Sequence, residues 1–206
     1  MVIKQFREQI NDNLCLKCMT MFVNAFNLAI SNKVYKIDWD EDQYTAILCG
    51  YLNQLKIMDQ WSVSPQQPYY TEKHYIGNEH PNVAPRPDIH FEKYVFEMEA
   101  PFEFTIEAKN LKSNDSHLKG RYIDTGIDNF RKKRYPLGCM AGYIIYGTAD
   151  DCAISISKLL QKRSRESEKL SKTNFIQGFD STYVSVHITG NIEMKLKHIF
   201  LEFYIN

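Results

Sequence analysis

Apolar positions recur at helical spacing in two early stretches. Between residues 3 and 30, Phe22, Phe26, Ala29 and Ile30 share one face, which predicts a long helix. A second helix is better marked. Asp40 can cap its N-terminus, and Gln43 completes a capping box. Tyr44, Ile47, Leu48, Tyr51, Leu52 and Leu55 then line one apolar stripe. At about 100° per residue, Glu41 falls inside that stripe whereas Asp42 points away. A carboxylate aimed inward needs a partner. The plainer reading is a wet first-turn acid favoured by the helix dipole.

The pattern then shifts to strands, around Trp61 to Val63 and near Tyr69 to Tyr75. Residues 77–87 carry the Pro, Gly and Asn of a loop. Two strands are expected over 87–96 and 102–111, then a helix near 119–134 ended by Pro136. The run CMAGYIIYG, residues 139–147, reads as a buried strand. Asp150 or Asp151 can start a helix reaching about residue 169. Tyr183 to Ile188 turns through Thr189-Gly190-Asn191 into a long strand ending near Ile205. A strand–helix–strand unit implies a parallel pair with a right-handed crossover. The expected fold is therefore α/β: a mixed sheet flanked by helices, in a single domain. Within it, residues 1–37 form a helical appendage, 38–150 a core, and 151–206 a helix plus hairpin.

Composition narrows the class. The chain has 206 residues, 44% hydrophobic and 24% charged, with 13 Tyr and 12 Phe. That suits one soluble globular domain and excludes disorder. Net charge is zero, so a polyanion must be met by a local basic patch. Five cysteines without framework spacing suggest reduced thiols in the cytoplasm. Cys15 and Cys18 make a CxxC, but no second pair completes a zinc site, so they read as core. No secretory signal is visible, and the apolar run from Met19 to Ile30, broken by Asn24 and Asn27, looks too short for a bilayer.

One strand carries chemistry. In FTIEAKNL, residues 104–111, Phe104, Ile106 and Ala108 face one way, and Thr105, Glu107 and Lys109 the other. If the preceding turn centres near Glu97 and Met98, Asp88 lies opposite Glu107. Opposed carboxylates repel unless a cation lies between them. All-oxygen ligation favours Mg²⁺ or Mn²⁺ over zinc. Lys109, on the same face, can orient a water and meet negative charge on a phosphate. His90 shares the face of Asp88 and reads either as a plain sheet histidine or as a contact to metal or substrate.

Arg86-Pro87-Asp88, followed by Phe104-Thr105-Ile106-Glu107-Ala108-Lys109, resembles the PD-(D/E)XK nuclease superfamily, the restriction-endonuclease-like fold. The resemblance spans about residues 40 to 147. It implies that Asp88 and Glu107 bind Mg²⁺, that Ala108 adds its carbonyl, and that Lys109 serves the attacking water. A glutamate on the preceding helix often completes such a site, which suits Glu41. The stretches Tyr122 to Gly147, Tyr183 to His187 and His198 to Leu201 also resemble restriction and phage-defence members of the superfamily. A bare Glu-x-Lys means little, since Glu193-Met194-Lys195 repeats it without a preceding Pro-Asp strand; that one reads as a solvated strand face.

Residues 109–134 hold eight basic side chains against three acidic ones, and 158–172 six against two. Such segregation gives a neutral chain a basic face for phosphates. Lys112 and Lys119 come first, because their loop leaves the active strand; Arg121, Arg131 and Lys132 follow. Basic helices are also often just solvated, and Arg163 and Arg165 beside Glu166 and Glu168 look like surface pairing. The expected function is a Mg²⁺-dependent endonuclease acting on DNA in host defence, with RNA as a third reading. The rival is a non-catalytic nuclease-like subunit that assembles with a partner protein. A homodimer would suit double-strand cutting.

Overall fold

A computed structural model describes residues 2–55, 61–67, 84, 86–95, 100–135, 137–190 and 192–203, with residues 2–7 and 192 described by backbone alone. The expected strand near Tyr69 to Tyr75, the turn at Glu97 and Met98, Pro136 and the residues beyond Phe203 lie outside these. Among the described residues the architecture is α/β, a mixed seven-stranded open sheet flanked by helices. Strands β1 (Ser62–Pro65), β2 (Ile89–Lys93), β3 (Phe102–Lys112), β4 (Gly138–Tyr146), β5 (Ser171–Thr173), β6 (Thr182–Thr189) and β7 (Ile192–Glu202) stand in the order β1-β2-β3-β4-β7-β6-β5. β3 and β4 run parallel, as the crossover required, and so do β4 and β7; the other pairs are antiparallel.

Helices α1 (Val2–Ser31) and α2 (Glu41–Leu55) cover one face. The capping box forms: Gln43 N–H donates to Asp40 Oδ1 at 2.9 Å, and Asp40 N–H to Gln43 Oε1 at 3.0 Å. Tyr44, Leu48 and Leu52 are buried, with Ile47, Tyr51 and Leu55 partly so. α1, expected as an appendage, shares that core through Cys18, Phe22, Ala25 and Ala29. Its stretch Glu8–Ser31 is long and apolar enough to cross a membrane, contrary to the short run read from the sequence, and half of it is buried inside the fold. All five cysteines are free and buried. Burial lifts the thiol of Cys15 to about 11 and that of Cys18 further still, as core residues require.

The other face is covered by one helical run and by α5 (Ala149–Lys162). The run comprises α3 (Ser116–Arg121), a π-helical segment (Tyr122–Ile127) and α4 (Asp128–Arg131). It starts earlier than expected because Asp115 caps it, its carboxylate accepting from His117 and Leu118 N–H. It ends at Arg131, before Pro136, and Lys133 beyond it turns left-handed at φ +55°. α5 is capped by Thr148 and closes at Lys162, short of residue 169, where Ser164 turns left-handed at φ +58°. β5 has three residues, too few for a periodicity reading.

Beneath the π segment runs a buried chain of polar groups. Tyr122 Oη lies 2.8 Å from His198 Nδ1, and His198 Nε2 lies 2.7 Å from Ser185 Oγ. Ser185 Oγ is 2.6 Å from His187 Nε2, and His187 Nδ1 is 2.5 Å from Glu168 Oε2. The Glu168 carboxyl, which Arg165 and His187 hold below its ordinary pKa against the cost of burial, is a carboxylate and only accepts. His187 must therefore carry its proton on Nδ1 and accept the Ser185 hydroxyl at Nε2. Ser185 in turn accepts from His198 Nε2–H, and His198 Nδ1 accepts from Tyr122. Every proton has one place and every donor one acceptor. Burial keeps both imidazoles below their ordinary pKa, His198 at about 3, so both are neutral.

Candidate active site

The site sits at the start of β2, where β3 runs on past it. The register pairs Ile89 with Ile106 and His90 with Thr105, so Asp88 stands opposite Glu107 as expected. Pro87 has no N–H and cannot extend the ladder. Beyond Glu107, no strand among the described residues pairs with this edge of β3, and its amides need acceptors. Two carboxylates supply them. Asp88 Oδ2 accepts from Ala108 N–H at 2.6 Å, and Glu41 Oε2 from Asn110 N–H at 3.2 Å. Glu41 thus turns inward, along the apolar stripe of α2, while Asp42 is exposed.

Lys109 stands at the centre. Its Nζ lies 2.9 Å from Glu107 Oε1, 3.6 Å from Asp88 Oδ2 and 3.7 Å from Glu41 Oε2. It also donates to the Ala108 carbonyl at 2.5 Å. The Lys109 side chain is only 9% exposed and that of Glu107 8%. Two outer groups hold the carboxylates: Tyr135 Oη donates to Glu107 Oε2 at 3.0 Å, and Arg121 pairs with Glu41 Oε1 at 2.5 Å.

Charge is unbalanced here. Burial raises the Asp88 carboxyl above its ordinary pKa, against the pull of Lys109. Burial likewise pushes Glu107 up to about 7, helped by the repulsion of Asp88 and opposed by Lys109. Burial works against the Lys109 ammonium, yet Asp88, Glu107 and Glu41 outweigh it and raise its pKa. Among the described residues, no three His, Cys, Asp or Glu side chains make a ready metal cage; the ammonium occupies the point of convergence. The donors around it are all oxygens, the set a hard cation takes.

The π segment forms the roof. Gly126 packs against Met140, and an added Cβ there would strike the methionine's terminal methyl and approach Lys109 Cγ. The missing side chain lets the wide turn sit down over Glu107 and Lys109, leaving Thr125 exposed at the rim. The cleft is lined by Glu107, Lys109 and Tyr135, with Arg86, Arg121 and Arg134 around it.

Of the expected basic contacts, only Arg121 reaches this cleft. Lys119 is buried, its ammonium donating to Ser113 O at 2.7 Å, so it ties the loop rather than displaying charge. Lys112 is half-buried at the far end of β3, and Lys132 is exposed away from the cleft. Arg131 pairs with Asp128 and Glu168. Arg163 and Arg165 reach across the fold to Asp124 and Asp128, and Arg165 also takes Glu168, so the pairing is not a purely local surface feature. His90 is buried opposite Thr105, on the sheet face of Glu107 and Lys109, but its Nε2 lies 3.9 Å from Glu103, further along β3, and no contact to Lys109 forms. The sequence reading missed Arg134 and Arg86 as cleft residues and Tyr135 altogether. Arg86 stands beside the Pro-Asp pair, a signal that was available; nothing local marks Tyr135. Glu193 and Lys195 are exposed, while Met194 and Leu196 turn inward. Compared with known proteins, the chain matches no family model, no curated protein and no solved structure.

Proposed function

We propose that the chain is a metal-dependent endonuclease that hydrolyses phosphodiester bonds of DNA, on a restriction-endonuclease-like core and in a restriction or phage-defence setting. One observation carries the reading. Asp88, Glu107, Glu41 and the Ala108 carbonyl converge on a single cationic atom at a strand edge unpaired among the described residues, beside a cleft ringed by arginines. The order of α2, the β1–β3 meander, the crossover helix and β4 supports it.

The donor set fits a hard divalent ion, being carboxylate and carbonyl oxygens alone. Asp88, Glu107, Ala108 and Glu41 would hold Mg²⁺ or Mn²⁺, which when bound acidifies water and polarises a phosphoryl oxygen. Lys109, on the strand face of Glu107, orients the attacking water and meets the charge that grows on the phosphate. Tyr135 fixes the Glu107 carboxylate by its hydrogen bond. Arg86, Arg121 and Arg134 take the neighbouring phosphates. Water adds to phosphorus and gives up a proton, the bond to the leaving sugar oxygen breaks, and that oxygen takes up a proton, so protons balance overall.

The test is cleavage of plasmid and single-stranded DNA. Cleavage is expected with Mg²⁺ or Mn²⁺ and is lost in excess chelator, and calorimetry registers binding of either ion. Cleavage that persists in chelator, or a chain that binds neither ion, overturns the reading.

A further inference from the structure

Beyond Tyr135 the cleft of Glu107 and Lys109 gives way to a second cavity of about 520 Å³. That is within the size range of small-molecule sites. Its floor is apolar, made by Phe130, Leu137, Met194 and Leu196. Its rim is cationic: Arg131, Lys133 and Lys195 stand against one acid, Glu193. Lys133 and Lys195 are exposed. Arg131 is held by Asp128 and Glu168, yet keeps a buried Nε–H without an acceptor among the described residues. The second Glu-x-Lys of the sequence therefore has a place. Met194 lies on the floor, and Glu193 and Lys195 flank it at the rim.

Tyr135 belongs to both cavities. Its hydroxyl holds Glu107, and its ring meets that of Phe130 edge-on, centroids 5.3 Å apart. A single tyrosine side chain thus separates the apolar floor from a carboxylate of the site. The two cavities share Tyr135, so a cation-rimmed apolar recess adjoins the cleft of Glu107 and Lys109.

We infer that this recess receives an unpaired nucleobase from the nucleotide next to the scissile phosphate, so that the substrate is single-stranded or locally opened nucleic acid. The inference rests on the nuclease reading of the neighbouring site. A base has flat apolar faces that suit the floor, and its flanking phosphates suit the exposed Lys133 and Lys195. A base inside a duplex has its faces stacked and cannot enter without being turned out. An uncharged apolar ligand would not explain the cations, and a bare phosphate would not explain the floor.

Fluorescence anisotropy in chelator tests it, using a labelled single-stranded DNA dodecamer, the same strand with alternating abasic sites, and the duplex. The intact single strand is expected to bind about tenfold tighter than either of the others, the usual worth of a base held on apolar and aromatic side chains. Leu137→Trp fills the recess from a partly exposed position and erases the preference for intact over abasic strand. Thr189→Trp fills it from the hairpin and keeps the test alive should the first variant misfold by circular dichroism. Lys195→Glu weakens all three probes several-fold. Equal binding of intact and abasic strands, tighter binding of duplex, no binding at all, or a preference that survives in a folded recess-filling variant overturns the inference. Parallel cleavage assays with Mg²⁺ separate the two readings. Cleavage without base dependence removes the recess and leaves the nuclease. Base-dependent binding without cleavage under either metal ion removes the nuclease and leaves the recess.

Discussion

Two buried polar clusters share one face of the sheet and one roof. Glu107 pairs across to Met140, and Met140 to His198, so a single strand separates them. Both lie under the helical run from Ser116 to Arg131. In the chain from Tyr122 to Glu168 every donor meets one acceptor, the imidazoles are neutral, and the closing carboxylate is held by Arg165. Around Lys109 three carboxylates crowd one ammonium, and among the described residues only Glu41 has an arginine of its own. Burial is similar; completeness differs. A satisfied network fixes a fold, and adding anything to it costs stability. An oversupply of buried carboxylates raises their pKa values and favours one more cation. The two clusters thus differ in electrostatics, one satisfied and one with surplus carboxylates, without reference to any motif.

The sharpest way to break the contrast is Lys109→Met against Ser185→Ala. If the Lys109 cluster is the chemical one, Lys109→Met lowers the single-turnover cleavage rate by roughly 10³-fold, in the range of a lost electrostatic donor to the transition state. Ser185→Ala should leave that rate nearly unchanged. Equal losses in both variants would dissolve the distinction.

The next effect is on stability, and the two clusters have opposite signs. Glu107 sits near 7 in the fold against an ordinary 4.5, because burial, and then Asp88, disfavour its charge. Between those values the folded chain holds a proton that the unfolded chain has lost, so stability falls as pH rises. The cost is nil below the lower value and on the order of 3 kcal/mol above the upper one. His198 is held to about 3 from an ordinary 6.5, by burial first and then by His187. There the unfolded chain holds the extra proton, so stability falls as pH drops below 6.5. Denaturant melts in chelator should show Glu107→Gln more stable than the parent at pH 8 and equal to it near pH 4. The acid-side loss due to His198 should persist in that variant. A Glu107→Gln that is destabilised at pH 8 would contradict the charge imbalance.

The smallest effect belongs to the neutral chain. Ser185→Ala removes the one group between two imidazoles and leaves His187 Nε2 and His198 Nε2–H without partners. The expected loss is about 2 kcal/mol, the usual cost of orphaned buried polar groups. Thermal melting at pH 7 measures it. No change in melting temperature would mean that water replaces the hydroxyl and that the chain is not tightly closed.

Much of this was legible along the chain. The box of Asp40 and Gln43, the stripe on α2 and the inward angle of Glu41 follow from local periodicity. The opposition of Asp88 and Glu107 follows from counting across a hairpin, because strand register is an arithmetic property. The basic contacts were less legible. Lys112, Lys119 and Lys132 are as cationic in sequence as Arg121, and only folding decides which charge faces the cleft. Lys119 is spent on a carbonyl of its own loop. Tyr135 carries no local mark, yet it touches both the Glu107 carboxylate and the recess.

The sequence alone determined the periodic elements, the parallel crossover, and the acid–acid–lysine set on one strand face, since each depends on spacings within a few residues or across one turn. Tertiary structure decided the rest. It set the edge of β3 that draws in Asp88 and Glu41, the π turn that lowers the roof onto Lys109, and the neutral chain that ties Tyr122 to Glu168. It also placed the second Glu-x-Lys at the mouth of an apolar recess. Each joins residues far apart in sequence, where the deciding quantity is whether a buried donor finds an acceptor, and that is settled only when the layers meet.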